Sequence, residues 1–256
     1  MLLFSLLAVA AYCAVSLVLG FRLLALARRT RQLPETYFGF GFLAGGMIGY
    51  PFNVASGFML NAGNPEAAHI CYSIAQIAMT AAAILTLLAW RQIFAPTLRG
   101  GGILVMAWSL LLVAGVVVVI RTTGAETADR MIAPIYWAHL LLQGGCYAIS
   151  AAASLRYASM LKRRLALGLA DPIVTNRMQL WGSSHVSITC SYSFSIATGL
   201  LLASGMIERA HVAYLTPLVA GFGLTAAICI TFAFLPPKAY LARFDETTAA
   251  TATEGA

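Results

Sequence analysis

The sequence predicts an all-α fold, a polytopic membrane protein built as a bundle of seven transmembrane helices. Three observations carry that expectation. First, of 256 residues 60% are hydrophobic and only 10% charged, with a mean hydropathy of +0.83. Soluble domains hold about 25% charged residues, so a water-facing surface cannot be made from this set. Second, the apolar residues gather in seven runs, at 2–27, 37–59, 68–94, 102–121, 133–158, 174–204 and 211–235. Each is long enough for a spanning helix of about 20 residues and too long for a barrel strand of about 10. Third, the basic residues collect on alternate loops. The net charge of +7 is spread between apolar runs, which speaks against a nucleic-acid partner.

Each run has its own justification as a helix, since backbone groups in lipid must be satisfied within the segment. The first lacks a basic leader and is followed by Arg28, Arg29 and Arg31, so it reads as a retained helix and not a cleaved signal. The second carries Gly41, Gly45, Gly49, Asn53 and Gly57 at a spacing of four. That is one stripe along which a neighbouring backbone can approach closely. Pro51 lies inside this run and should kink it. The third run places His69, Ser73, Gln76 and Thr80 on one face, and the fifth places Tyr136, His139, Gln143, Tyr147, Ser150 and Ser154 on another. The sixth carries Ser184, Ser187, Ser191, Ser195 and Thr198, with His185, Thr189 and Tyr192 in a strip beside them. It opens on Asp171-Pro172, a capping carboxylate followed by a proline suited to the first helical position. The seventh has no lysine at its middle, Lys238 coming after Pro236-Pro237, which speaks against a retinal Schiff base. Residues 1–243 are therefore read as the transmembrane domain and 244–256 as a disordered cytoplasmic tail.

Orientation follows from the placement of Lys and Arg. Of the 16 basic residues, all but Arg121, Arg130 and Arg209 fall at one set of helix ends. That set should be cytoplasmic, which puts the N-terminus outside and the C-terminus inside, most simply in a bacterial inner membrane. A weak internal repeat is visible too. Arg28-Arg29, Pro34 and Gly45-Gly46 recur in order as Arg163-Arg164, Pro172 and Ser183-Ser184, and both small pairs fall 11 and 12 positions after their proline. The first three helices would then correspond to the last three, with the fourth as linker, a parallel 3+1+3 plan.

In helix count and plan the chain resembles the broad group of seven-helix transporters and receptors that includes the SWEET-like proteins, although the PQ-loop signature of the SWEET relatives is missing. The stretch from Arg164 through Asp171-Pro172 to Arg177, together with Pro236-Pro237-Lys238-Ala239-Tyr240, resembles a family of uncharacterised bacterial seven-helix membrane proteins. That resemblance implies no activity.

Three polar stripes cannot all face lipid, so they should face one another or a wet cavity between helices 3, 5, 6 and 7. The expected ligand contacts are Asn53, Gln76, His139, Gln143, Tyr147 and His185, and hydroxyl and amide groups without fixed charge suit a small neutral or weakly polar ligand. Gly41, Gly45, Gly49, Gly57, Ser184, Ser187, Ser191 and Ser195 are assigned to helix packing. No Asp or Glu lies near the middle of a run, which argues against a carboxylate-based proton pump. Binding or transport of such a ligand is the leading expectation, with no catalytic residues assigned and no cofactor named. Two alternatives stay open: a sensor or assembly partner that meets a cytoplasmic protein through its basic loops, and a b-type haem or metal protein using His69, His139 and His211.

Overall fold

The computed structural model describes residues 2–124, 127–208, 212–242 and 244. Every regular element among them is helical. The first run forms α1 (Leu2–Thr30). The second is divided into α2 (Leu33–Phe42), a π-helical turn (Leu43–Gly49) and α3 (Tyr50–Asn61). Then follow α4 (Pro65–Phe94), α5 (Gly101–Thr122), the short α6 (Thr127–Ile132), α7 (Pro134–Leu165), α8 (Pro172–Ala203) and α9 (Val212–Phe234). Five helices are long and apolar enough to cross a membrane, those of the first, third, fourth, sixth and seventh runs. The chain is thus a membrane-embedded helical protein. The two remaining stretches differ for visible reasons: the π turn interrupts one, and the other carries the polar stripe and a basic end.

Several helices extend past their apolar runs, α4 and α8 at the start and α1 and α7 at the end, because those turns use polar chemistry. α2, α4, α7 and α8 each take a proline in the first turn, where its missing N–H costs nothing. Asn64 Oδ1 accepts from the Ala67 N–H at 3.0 Å. Asp171 Oδ1 accepts from Ile173 at 2.7 Å and Val174 at 3.4 Å, which is the cap that the Asp-Pro pair predicts. α7 continues through Lys162, Arg163 and Arg164, cations in a last turn where the helix dipole favours them. It then stops at Gly168, whose φ of +69° only glycine adopts without strain.

The π turn explains how the second run absorbs Pro51. Proline offers no N–H and its ring displaces the carbonyl four residues back, here that of Met47. The widened turn spans that carbonyl. A Cβ at Gly41, Gly45 or Gly49 would meet Leu85, Ala82 or Met79 of α4, whereas one at Gly46 would sit 1.9 Å from Ser16 Oγ of α1. Two small faces result, one for each neighbour. Gly57 has nothing within 4 Å of its Cβ position and so packs against no neighbour.

Packing closes a ring. α1 lies against the second run and α9, α4 against the second run and α7, and α8 between α7 and α9. α5, the most apolar of the candidate spans, packs mainly on α4 and α7. Its outer face exposes Ile103, Met106, Leu110 and Val117, as a lipid-facing helix must. Its inner side is held by Leu112, packed with Leu87, Ala83, Val105 and Cys146. Trp108 Nε1 also donates to the Leu142 carbonyl of α7 at 3.1 Å.

Candidate functional site

A cavity of about 140 Å³ occupies the ring. α1 contributes Tyr12 and the second run Gly45, Tyr50 and Asn53. α4 adds Gln76 and Met79, and α7 adds Tyr136, Leu140, Gln143 and Tyr147. α8 supplies Ile188, Ser191, Tyr192 and Ser195, and α9 Val219 and Gly223. The sequence points to helices 3, 5, 6 and 7; the first and second runs line the cavity as well. Tyr12 and Tyr50 are the residues that sequence reading misses. Each has a single polar neighbour within one helical turn, Ser16 for Tyr12 and Asn53 for Tyr50, so no polar stripe advertises it. Their rings pack 5.4 Å apart. Tyr147 and Tyr192 stack at 5.9 Å with planes 19° apart. Five tyrosines and no charged side chain stand among the described lining residues.

Thr80, His139 and Gln143 make a buried triangle behind the α4–α7 wall. Gln143 Nε2 donates to Thr80 Oγ1 at 3.0 Å and lies 3.1 Å from His139 Nε2, and Thr80 Oγ1 is 3.2 Å from the same ring nitrogen. With the amide nitrogen donating, His139 Nε2 accepts and the imidazole proton sits on Nδ1. That nitrogen faces α5, where Gly115 leaves room: a Cβ there would lie 2.8 Å from it. His139 is not in the lining; it reaches the cavity through Gln143. This arrangement leaves Gln143 Oε1 without a partner, and Gln76 Oε1 is in the same condition. Both residues line the cavity and are at most 3% exposed. Neither oxygen has accessible surface, and His139 Nδ1, Ser184 Oγ and Trp181 Nε1 are buried without partners as well, each at a cost of about 1–3 kcal/mol.

The other expected contacts lie elsewhere. Asn53 lines the cavity yet is exposed, so it marks the mouth. His185, 4% exposed, sits below the lining with Nδ1 3.5 Å from Ser150 Oγ and its ring between Tyr147 and Trp181. Trp181 packs edge-on against Phe38 and Phe234, an aromatic floor beneath the cavity. The serine stripe of α8 is divided. Ser184 and Ser187 are buried against neighbouring helices, while Ser191 and Ser195 line the cavity. His69 is half-buried on the first turns of α4, and its carbonyl accepts from Ser73 Oγ. His211 lies outside the described residues, as do the side chain of Tyr214 and the tail after Phe244. Among the described residues no three His, Cys, Asp or Glu side chains converge.

Above the cavity, α6 folds over the end of α8, a connection the sequence reads only as a loop. Trp137 Nε1 donates to the Met131 carbonyl at 2.5 Å, and Gly199 of α8 lies beneath both. The Arg130 guanidinium rests 3.8 Å from the centre of the Tyr72 ring. Burial pulls its pKa below the ordinary arginine value, but a guanidinium so covered by a π face remains charged. No protein-family model, no curated protein and no solved structure matches the chain.

Proposed function

We propose that the protein crosses the membrane seven times, N-terminus outside, and binds or transports a small neutral or weakly polar ligand in the cavity of the six-helix ring. The observation that carries this reading is the cavity wall itself, in which five tyrosines, Gln76, Gln143, Ser191 and Ser195 meet and no charged side chain stands among the described lining residues. The mouth at Asn53 is the outer one, and the floor of Phe38, Trp181 and Phe234 closes the cytoplasmic side. The π turn and Pro51 are the moving parts of any alternation between the two sides, since a widened turn can shift its register at low cost. The six ring helices form two sets of three with α5 outside them, which fits a parallel repeat.

A set of small uncharged polar fragments, tested by melting temperature on the purified protein and on Ser191→Phe, examines this reading. The phenylalanine ring fills the cavity. Fragments are expected to raise the melting temperature of the parent protein and leave Ser191→Phe unmoved. Equal shifts for both proteins, or none for either, contradict the proposal.

A further inference from the structure

Resting on that cavity as a binding or transport site, the contacts beneath it point to the device that closes it. We propose that Trp181, pressed against Phe38 and Phe234, is an inner gate, and that the route to the cytoplasm runs past it along the facing sides of α7 and α8. Position comes first. α2 and α8 do not pack side by side, yet the Phe38 and Trp181 rings meet at 4.2 Å with planes 72° apart. Phe234 of α9 closes from a third side at 5.1 Å. These rings therefore reach across the interior of the bundle, where Trp181 is 6% and Phe38 8% exposed. The α8 lining of the cavity starts only at Ile188, about 10 Å further along the helix. The stretch between is the second observation. Trp181 meets His185 at 5.4 Å and His185 meets Tyr147, a lining residue, at 5.7 Å. Beside them stand Ser150, Ser154 and Ser184, all fully buried. A polar stretch shut off by apolar rings is the layout of a hydrophobic constriction that excludes water. The third observation is how the rings are carried. A Cβ at Gly20 of α1 would lie 3.1 Å from the Gly39 carbonyl oxygen, and one at Gly39 of α2 as close to that of Gly20. A Cβ at Gly182 of α8 would lie 3.2 Å from the Leu155 nitrogen of α7. Phe38 and Trp181 each sit next to one of these close approaches, so each ring moves with its own tightly joined helix pair. Trp181 Nε1 makes no hydrogen bond, so the rings part without breaking one. The π turn (Leu43–Gly49) follows Phe38 on the same run and supplies that arm with a hinge.

The reaction of Ser150→Cys with a membrane-impermeant methanethiosulfonate tests the gate, in the full chain with its five native cysteines replaced. Ser150 Oγ lies 3.5 Å from His185 Nδ1, between the cavity and the plug. With Trp181 present the thiol is expected to react slowly in inverted vesicles, which offer the cytoplasmic face to the reagent. Trp181→Ala is expected to speed that reaction at least about tenfold, the effect of losing two aromatic contacts on the open population. Where that protein does not fold, Phe38→Ala is read in its place. Leu87→Ala is the control, a fully buried side chain packed towards α5 and away from the plug, and it is expected to leave the rate unchanged. An unchanged rate in the plug variant overturns the gate. Equal acceleration by Leu87→Ala overturns it as well, since general loosening then explains the access, and so does acceleration in right-side-out vesicles alone. If the gate fails in any of these ways while Asn53→Cys still reacts from outside, the cavity reading survives. If Asn53→Cys is protected too, both fall.

Discussion

At the scale of single residues, Gln143 connects the interior of the bundle to its cavity. Its amide nitrogen serves Thr80 and His139, and its side chain also lines the cavity. The stripe of polar residues on α7 made Gln143 and His139 legible in the sequence, but periodicity cannot tell a lining residue from its support. The two lie four positions apart on one face, and only the approach of α4 decides which meets the cavity. His139→Ala is therefore expected to lower stability by about 1–3 kcal/mol, the cost of leaving buried polar groups unpaired. Binding per folded molecule should fall less than it does in Gln143→Leu. Melting temperature and binding on the same sample check this, and a loss of all binding at unchanged melting temperature would place His139 in the site itself. Gly115→Ala tests the triangle from the opposite side. Its methyl would press on His139 Nδ1, and a destabilisation of about 1–3 kcal/mol is expected from overpacking.

At the scale of elements, the second run shows what spacing alone misjudges. Five small or polar residues four apart read as one stripe, and three of them, Gly41, Gly45 and Gly49, do share a face against α4. What the spacing misses is the π turn before Pro51, the packing of Gly46 on α1, and the open space beside Gly57. The proline was visible; the extra residue per turn by which the chain accommodates it was not, because it depends on what packs on either side. Gly46→Ala should push α1 away and lower the melting temperature, and Ser16→Gly in the same chain should restore most of the loss, because it removes the two Ser16 atoms nearest the new methyl. Failure of that rescue would mean that the close approach does not hold α1 in place. Helix ends were better marked. Asp171 caps α8 as its sequence suggests, and Asp171→Ala is expected to cost about 0.5–2 kcal/mol in thermal or chemical denaturation.

At the scale of the whole molecule, composition and run length announced a helical membrane protein because a bilayer imposes both. The ring was not legible. Nothing in the order of the runs says that α5 stands outside it, or that α1 meets α9 to close it; those follow from which faces are smooth and which are small. Tyr12 and Tyr50 joined the cavity for the same reason, brought in by closure of the ring and not by any motif. For the proposed topology, reporters fused after Thr122 and after Gly168 are expected to lie on opposite sides of the membrane, and the same side for both would break the seven-crossing plan.

The claim on which the rest stands is a water-accessible cavity that opens outward at Asn53. Labelling by a membrane-impermeant thiol reagent measures it directly in right-side-out vesicles, using a variant in which the five native cysteines are replaced. Asn53→Cys is expected to react fast, Ser191→Cys more slowly, and Ser154→Cys, fully buried in the parent protein, only after denaturation. Protection of both Asn53→Cys and Ser191→Cys in folded protein that labels fully once denatured would contradict the account.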